Sequence, residues 1–352
     1  MKRTYPNALF LACVIMGLVA LGQTAAAEEP AEKPAAEIPR RWVLIACGLP
    51  GDDAHRTRLT EACRQLIAGA EATLGARPEQ IRVLAGDETM RQELADDVAS
   101  VGICTKETMP STLAELGQLA NQEDGCWVIL LGHANLYGLE SKFNVSGPDF
   151  HQGEFAQWAE AITCQEQVFW LTMPVSGFWL KPLAADSRVI LSATQADLEY
   201  TGTEMPYALA SHLAGAGDHY PLEDVDQDGT LSLLDLYLGV NLEVDAVFKT
   251  LDRLQTEHAL LEDNGDGRGK EVQLPYLPVI AEPAEETPAD DEEAGNEDDP
   301  EAPEDEPASE EEPQPEEATP TNPFGVRPTV TTRLESNMDG YRAQRIRLRS
   351  SL

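Results

Sequence analysis

Arg41-Trp42-Val43-Leu44-Ile45-Ala46-Cys47-Gly48 and Cys126-Trp127-Val128-Ile129-Leu130-Leu131-Gly132 are two near-continuous apolar runs, each stopped by glycine. A strand with one wet face alternates polar and apolar residues, whereas a run without that alternation is covered on both sides, as in a parallel sheet. Residues 81–86, 167–172 and 188–194 read the same way. Between these runs lie helical patterns over residues 55–74, from a Ser111 cap to Asn121, and over 151–162. Strands and helices in alternation predict an α/β domain over residues 41–280. It is built on a mostly parallel, doubly wound sheet with helices on both faces.

Outward from this block the composition changes sharply. The 352 residues carry 25 Lys+Arg against 62 Asp+Glu, a formal net charge of -37. Such a field repels phosphate backbones and excludes nucleic acid as a partner. Residues 281–322 hold 19 of the acidic residues and no Lys or Arg. Rich also in Pro and Ala, they bury too little apolar surface to offset ordering entropy and read as a disordered acidic linker. Residues 323–352 reverse the sign, with Arg327, Arg333, Arg342, Arg345, Arg347 and Arg349 against Glu335 and Asp339. This Arg-rich tail reads as an idle end; its alternatives are folding back on the acidic linker or touching an acidic wall or membrane surface.

At the other end, Lys2 and Arg3 precede an apolar run over 8–22 and Ala25-Ala26-Ala27. This is the layout of a signal peptide over 1–27, followed by a linker over 28–40. The run is too short for a stable membrane span in the mature chain. Export to the periplasm, cell envelope or extracellular space is expected. Cys47, Cys63, Cys104, Cys126 and Cys164 then remain, an odd number for an oxidising compartment. None forms a CxxC pair, which removes the basis for a cysteine zinc site.

The most specific local pattern is Asp224-Val225-Asp226-Gln227-Asp228-Gly229-Thr230-Leu231-Ser232-Leu233-Leu234-Asp235. Asp224, Asp226, Asp228 and Asp235 fill the first, third, fifth and twelfth loop places. Gly229 permits the sharp turn at the sixth, and Thr230 offers its carbonyl at the seventh. Hard cations take six to eight oxygens, and four like charges so close together repel one another without one. The pattern resembles the EF-hand loop, and Asp at the last place without a clean incoming helix is similar to the loop of dockerin-type modules. The resemblance implies Ca2+. A helix over 233–254 is expected to follow, with Leu236, Val240, Val244, Val247 and Leu251 on its buried stripe. A second acidic turn, Glu262-Asp263-Asn264-Gly265-Asp266-Gly267, offers oxygens but no matching twelfth place, and a Gly-rich surface turn is the simpler reading.

Ligands of a parallel sheet collect at the carboxyl ends of its strands. His133 follows one such end, and Met173-Pro174-Val175-Ser176-Gly177 follows the next. These residues resemble the legumain/caspase-like cysteine peptidases, in which an apolar strand ends in His-Gly and the following one in Ala-Cys-Glu-Ser-Gly. The resemblance covers about residues 41–270, including Gly48-Leu49-Pro50-Gly51-Asp52-Asp53, the stretch from Leu130 to Gly138, Val175-Ser176-Gly177 and the Ser-Ala-Thr end at 192–194. It extends to exported bacterial members that join this fold to calcium loops. It implies that His133 is the catalytic histidine and places the nucleophile at Pro174.

Proline has neither a nucleophilic side chain nor a backbone N–H for an oxyanion. Ala134 stands where the family has glycine. Ser176 or Cys47 acting with His133 is the remaining route to peptide or ester hydrolysis. His151, His212 and His219 lack ligand spacing to one another, and Trp127, Trp158, Trp170 and Trp179 read as core. By the same resemblance Glu199-Tyr200 falls near a substrate pocket. The leading expectation is an exported calcium-binding protein of caspase-like fold that has lost peptidase activity and binds or scaffolds a protein or peptide. An active hydrolase, and an envelope protein acting through its acidic linker and basic tail, are the alternatives.

Overall fold

The computed structural model describes residues 38–272, apart from 198, 218 and 227, and residues 334–349. The expected signal peptide, nearly all of the linker after it, and the acidic stretch 281–322 lie outside the described residues.

The described strands and helices run β1 (Arg41–Cys47), α1 (Asp53–Ala72), β2 (Ile81–Ala85), α2 (Glu88–Glu93), β3 (Val101–Ile103), α3 (Thr108–Leu119) and β4 (Gly125–Leu131). There follow β5 (Ala134–Tyr137), β6 (Glu140–Phe143), β7 (Phe150–His151), α4 (Gln152–Ala159), β8 (Glu166–Leu171), α5 (Leu180–Leu183) and β9 (Arg188–Ser192). The last are α6 (Met205–Leu213), α7 (Leu233–Thr250) and β10 (Leu260–Glu262). One sheet has the order β10-β9-β8-β4-β1-β2-β3. All its pairings are parallel except β9 with β10. The chain runs from β1 to one side through β2 and β3, then returns to lay β4, β8 and β9 on the other. The β1–β4 junction is therefore the point where the winding reverses.

Alternate residues of β1 feed the two faces. Val43, Ile45 and Cys47 pack with α1, α6 and α7, whereas Trp42, Leu44 and Ala46 pack with α3, α4 and α5. Removing a Leu, Ile or Phe side chain from water contributes about 1.5–3 kcal/mol, and both layers are dense in fully buried examples. Two-sided burial is why these strands carry no polar alternation. The carboxyl ends converge tightly. A Cβ on Gly86 would lie 2.0 Å from the Gly48 carbonyl oxygen, and Gly132 adopts φ +130° against the Gly48 backbone.

At the amino edge Arg41 is fully buried and pairs with Glu166 at 2.6 Å. Glu166 also accepts the Trp127 indole N–H at 2.6 Å. The five cysteines among the described residues are buried free thiols, and no described helix is long and apolar enough to cross a membrane.

Several local expectations change. The third helix begins before Ser111, because Thr105 accepts the Glu107 and Thr108 N–H groups and opens it earlier; the Ser111 hydroxyl donates instead to the Thr108 carbonyl within the helix. His151 caps α4 from outside, its ring accepting the Gly153 N–H. The buried stripe of α7 ends near Val244, and Leu251 and Leu254 are exposed. The three-stranded antiparallel sheet β5-β6-β7 was not anticipated, its strands being too short to show a pattern.

Residues 334–349 of the Arg-rich end are not an idle tail. Leu334, Ala343 and Leu348 join the core beside α7. Leu348 donates to the Leu231 carbonyl, Leu233 to that of Ile346, and Arg349 to that of Thr73. Val272 and Leu334, the described residues on either side of 273–333, are both buried.

Candidate functional site

The β1–β4 reversal opens a cleft of about 560 Å³ at the carboxyl edge. Open α/β sheets bind ligands in this position, because the connections on either side of the reversal diverge. The floor comes from residues 49–52 after β1 and from Gly132, His133 and Asn135 after β4. His55, Arg58, Glu204 and Tyr207 form the wall. Asp52 caps α1 by accepting the His55 N–H at 2.9 Å and also meets the His55 ring at 2.9 Å. Those contacts hold its carboxyl below the usual range. Desolvation, with His55 nearby, holds the His133 imidazole below its ordinary value. Arg58 pairs with Glu204 and lies over the Tyr207 ring, 3.4 Å from its centroid.

His133 is exposed, whereas the residues expected to act with it are buried. Pro174 is buried. Val175, also buried, adopts the left-handed conformation at φ +52°, and its N–H donates to the Glu199 carbonyl. Ser176 is fully buried: its hydroxyl accepts the Thr194 N–H at 3.1 Å and lies 3.2 Å from the Thr194 hydroxyl. None of these three lines the cleft. Thr203 closes over the end of β8 by donating to the Thr172 carbonyl. Cys47 is fully buried as well, and the adjacent Cys63 with desolvation pushes its thiol well above the usual range. It therefore lacks the thiolate that nucleophilic attack requires. Of the two loops to which the sequence directed attention, the one after β4 lines the open cleft, whereas residues 173–177 after β8 are buried and do not.

The acidic loop 224–235 is the second constellation. Asp224, Asp226 and Asp235 each present an oxygen within 4.8 Å of the others. Asp224 accepts the N–H groups of Asp228 and Gly229, Asp226 that of Asp228, and Asp228 that of Thr230. Gly229 takes φ +83°, as the turn requires. Asp235 closes the loop by accepting the Val225 N–H at 2.7 Å and the Asp226 N–H at 3.2 Å. Its other oxygen takes the Ser232 N–H and hydroxyl, so it also forms the capping box that starts α7.

Asp226 and Asp235 are fully buried. Desolvation, then Asp235 and Asp228, raises the Asp226 carboxyl to about 7. Desolvation raises Asp235 to about 6 against the Ser232 bonds. Buried, mutually repelling carboxylates with all-oxygen chemistry form a donor set that could hold a hard cation. Of the five residues expected to hold the ion, Asp224, Asp226 and Asp235 are brought within 4.8 Å of one another, whereas Asp228 and Thr230 lie outside that group.

Sequence reasoning missed Gln344, which donates its side-chain amide to Asp226 at 2.8 Å, and the Asp52–His55 wall of the cleft. The first carries no local signal, while an Asp three residues before a His at a helix start is visible in sequence.

The remaining histidines have local partners: His219 contacts Glu243 at 2.5 Å, and His258 pairs with Glu199. Glu257, fully enclosed, accepts the Glu204 and Met205 N–H groups and is raised by burial to about 8. No protein-family model matches the chain, and no curated protein matches it.

Proposed function

We propose that the chain is an exported calcium-binding protein of legumain/caspase-like α/β fold that has no peptidase activity and presents its sheet-edge cleft to a protein or peptide partner. The observation that carries the reading is the fate of the nucleophile position. Pro174 is enclosed, Ser176 is spent on Thr194, and no thiol lines the His133 cleft among the described residues. Nucleophile and base must lie within hydrogen-bond reach for covalent catalysis.

The family resemblance is supported by topology. The strand ending at His133 pairs directly with the strand that leads into 173–177. Calcium is supported by the all-oxygen loop, in which Asp224, Asp226, Asp228, Asp235 and the Thr230 carbonyl would hold the ion. When bound, it would neutralise the buried charge and pin the start of α7. Partner binding is supported by the open cleft and by exposed Leu49, Tyr137 and Leu139, apolar groups near its rim and on the hairpin after His133.

The hydrolase reading draws on His133 beside the Asp52–His55 pair, but no attacking atom accompanies them. The reading through linker and tail is weakened by the docking of 334–349. Labelling the purified chain with fluorophosphonate and acyloxymethyl ketone probes tests the proposal. No label is expected, and stoichiometric label lost in His133→Ala overturns it.

A further inference from the structure

The acidic turn at 262–267 repeats the hydrogen-bond register of the loop at 224–235. In each, the first carboxylate accepts the N–H of the glycine at the sixth place: Asp224 from Gly229 at 2.8 Å, Glu262 from Gly267 at 3.3 Å. The third side chain accepts from the fifth N–H: Asp226 from Asp228, Asn264 from Asp266. The fifth accepts from the seventh: Asp228 from Thr230, Asp266 from Arg268. Both sixth-place glycines have positive φ, +83° and +73°. The twelfth-place carboxylate was the part missing from the second turn. In the first loop that carboxylate, Asp235, accepts the N–H at the second place. In the second turn the corresponding N–H, of Asp263, goes to Asp339, 76 residues away at 3.3 Å.

Repetition of turn geometry does not itself define a site. The independent observation is that each carboxylate has an oxygen with no partner. Glu262 is 0% exposed and Asp339 3%. One oxygen of Glu262 accepts the Gly265 and Gly267 N–H groups, and one of Asp339 accepts from Asp263. Glu262 Oε2 and Asp339 Oδ2 are buried without any hydrogen bond. Burying an acceptor unpaired is costly, and such groups in native proteins call for a ligand or an ion.

We infer that Glu262, Asn264 and Asp266 together with Asp339 form a second calcium-type divalent-cation site, split between the domain and the returning C-terminal segment. The seventh-place carbonyl belongs to Arg268, and the ninth place to Lys270, whose side chain is exposed and supplies no ligand. Asp263 is not a ligand. Its carboxylate is filled by the N–H groups of Gly340, Arg342 and Ala343, which staple the segment in place. The ion would lock that segment to the turn. This site is separate from the one at 224–235 and does not depend on it.

Calorimetric titration of calcium chloride into the chelator-stripped full chain tests the inference. Two ions per chain are expected, falling to one in Asp339→Asn and to one in Glu262→Gln, each close to isosteric. Asp224→Ala retains the ion that those variants lose. In hydrogen exchange, calcium is expected to slow the Gly340, Arg342 and Ala343 amides at least tenfold in Asp224→Ala and to leave them unchanged in Asp339→Asn. If Asp339→Asn and Glu262→Gln bind as many ions as the parent, the split site is wrong, whatever the result at 224–235. If Asp224→Ala alone removes all binding, it is wrong also.

Discussion

Gln344 reaches back 118 residues to donate its side-chain amide to Asp226 at 2.8 Å. The third place of the acidic loop is thus held by a residue from the far end of the chain. Hydrogen bonds to a charged acceptor typically contribute about 1.5–3 kcal/mol. Gln344→Ala is therefore expected to weaken calcium binding roughly tenfold, about 1.4 kcal/mol, with the decrease read by titration of chelator-stripped protein. Unchanged affinity would show that the segment merely lies beside the loop.

Asp224→Ala combined with Asp228→Ala removes two of the four carboxylates at 224–235. An ion present at a hundred times its dissociation constant stabilises a folded chain by about 2.7 kcal/mol. The calcium-induced rise in thermal midpoint is expected to shrink by the share of this loop. Differential scanning calorimetry with and without calcium measures it, and an undiminished rise would remove the loop from the account.

Burial raises several carboxyls, among them Asp226 to about 7, Asp235 to about 6, Asp339 to about 7 and Glu257 to about 8. Each binds its proton more tightly in the folded than in the unfolded chain, where ordinary values near 4 apply. Their contribution is complete below pH 4 and is lost as pH rises through 6 to 8. Metal-free protein should therefore lose at least about 1.4 kcal/mol between pH 5.5 and 8.5, the equivalent of one unit. Calcium should restore most of the part due to the aspartates. Urea titrations at both pH values check the sign, and rising stability in the metal-free chain would contradict it.

Glu166 neutralises fully buried Arg41 and accepts the Trp127 indole N–H. Truncating one partner of a buried pair leaves the other charged and desolvated, at a cost of about 3–5 kcal/mol. Glu166→Ala should be destabilised by that amount in urea unfolding. A loss below 1 kcal/mol would mean that water reaches Arg41.

Pro174→Cys should not create a peptidase. Position 174 is enclosed, and the chain turns through left-handed Val175 immediately after it. Fluorogenic peptide hydrolysis by this variant is expected to equal that of the parent. Activity abolished by adding His133→Ala would show that the end of β8 opens onto the cleft.

Patterning along the chain was sufficient for the layered α/β fold, since two-sided burial writes itself as unbroken apolar runs and every long strand lay within about two residues of its run. The acidic loop was legible for the same kind of reason: its donors sit within twelve consecutive residues, so their spacing is local. The position of the open cleft over β1–β4, the enclosure of Ser176 and the return of 334–349 onto the acidic turns were not. Each depends on which strands become neighbours and on contacts between residues tens to more than a hundred positions apart. No local period records such contacts, and only the packed chain brings Asp339 to Asp263 or Gln344 to Asp226.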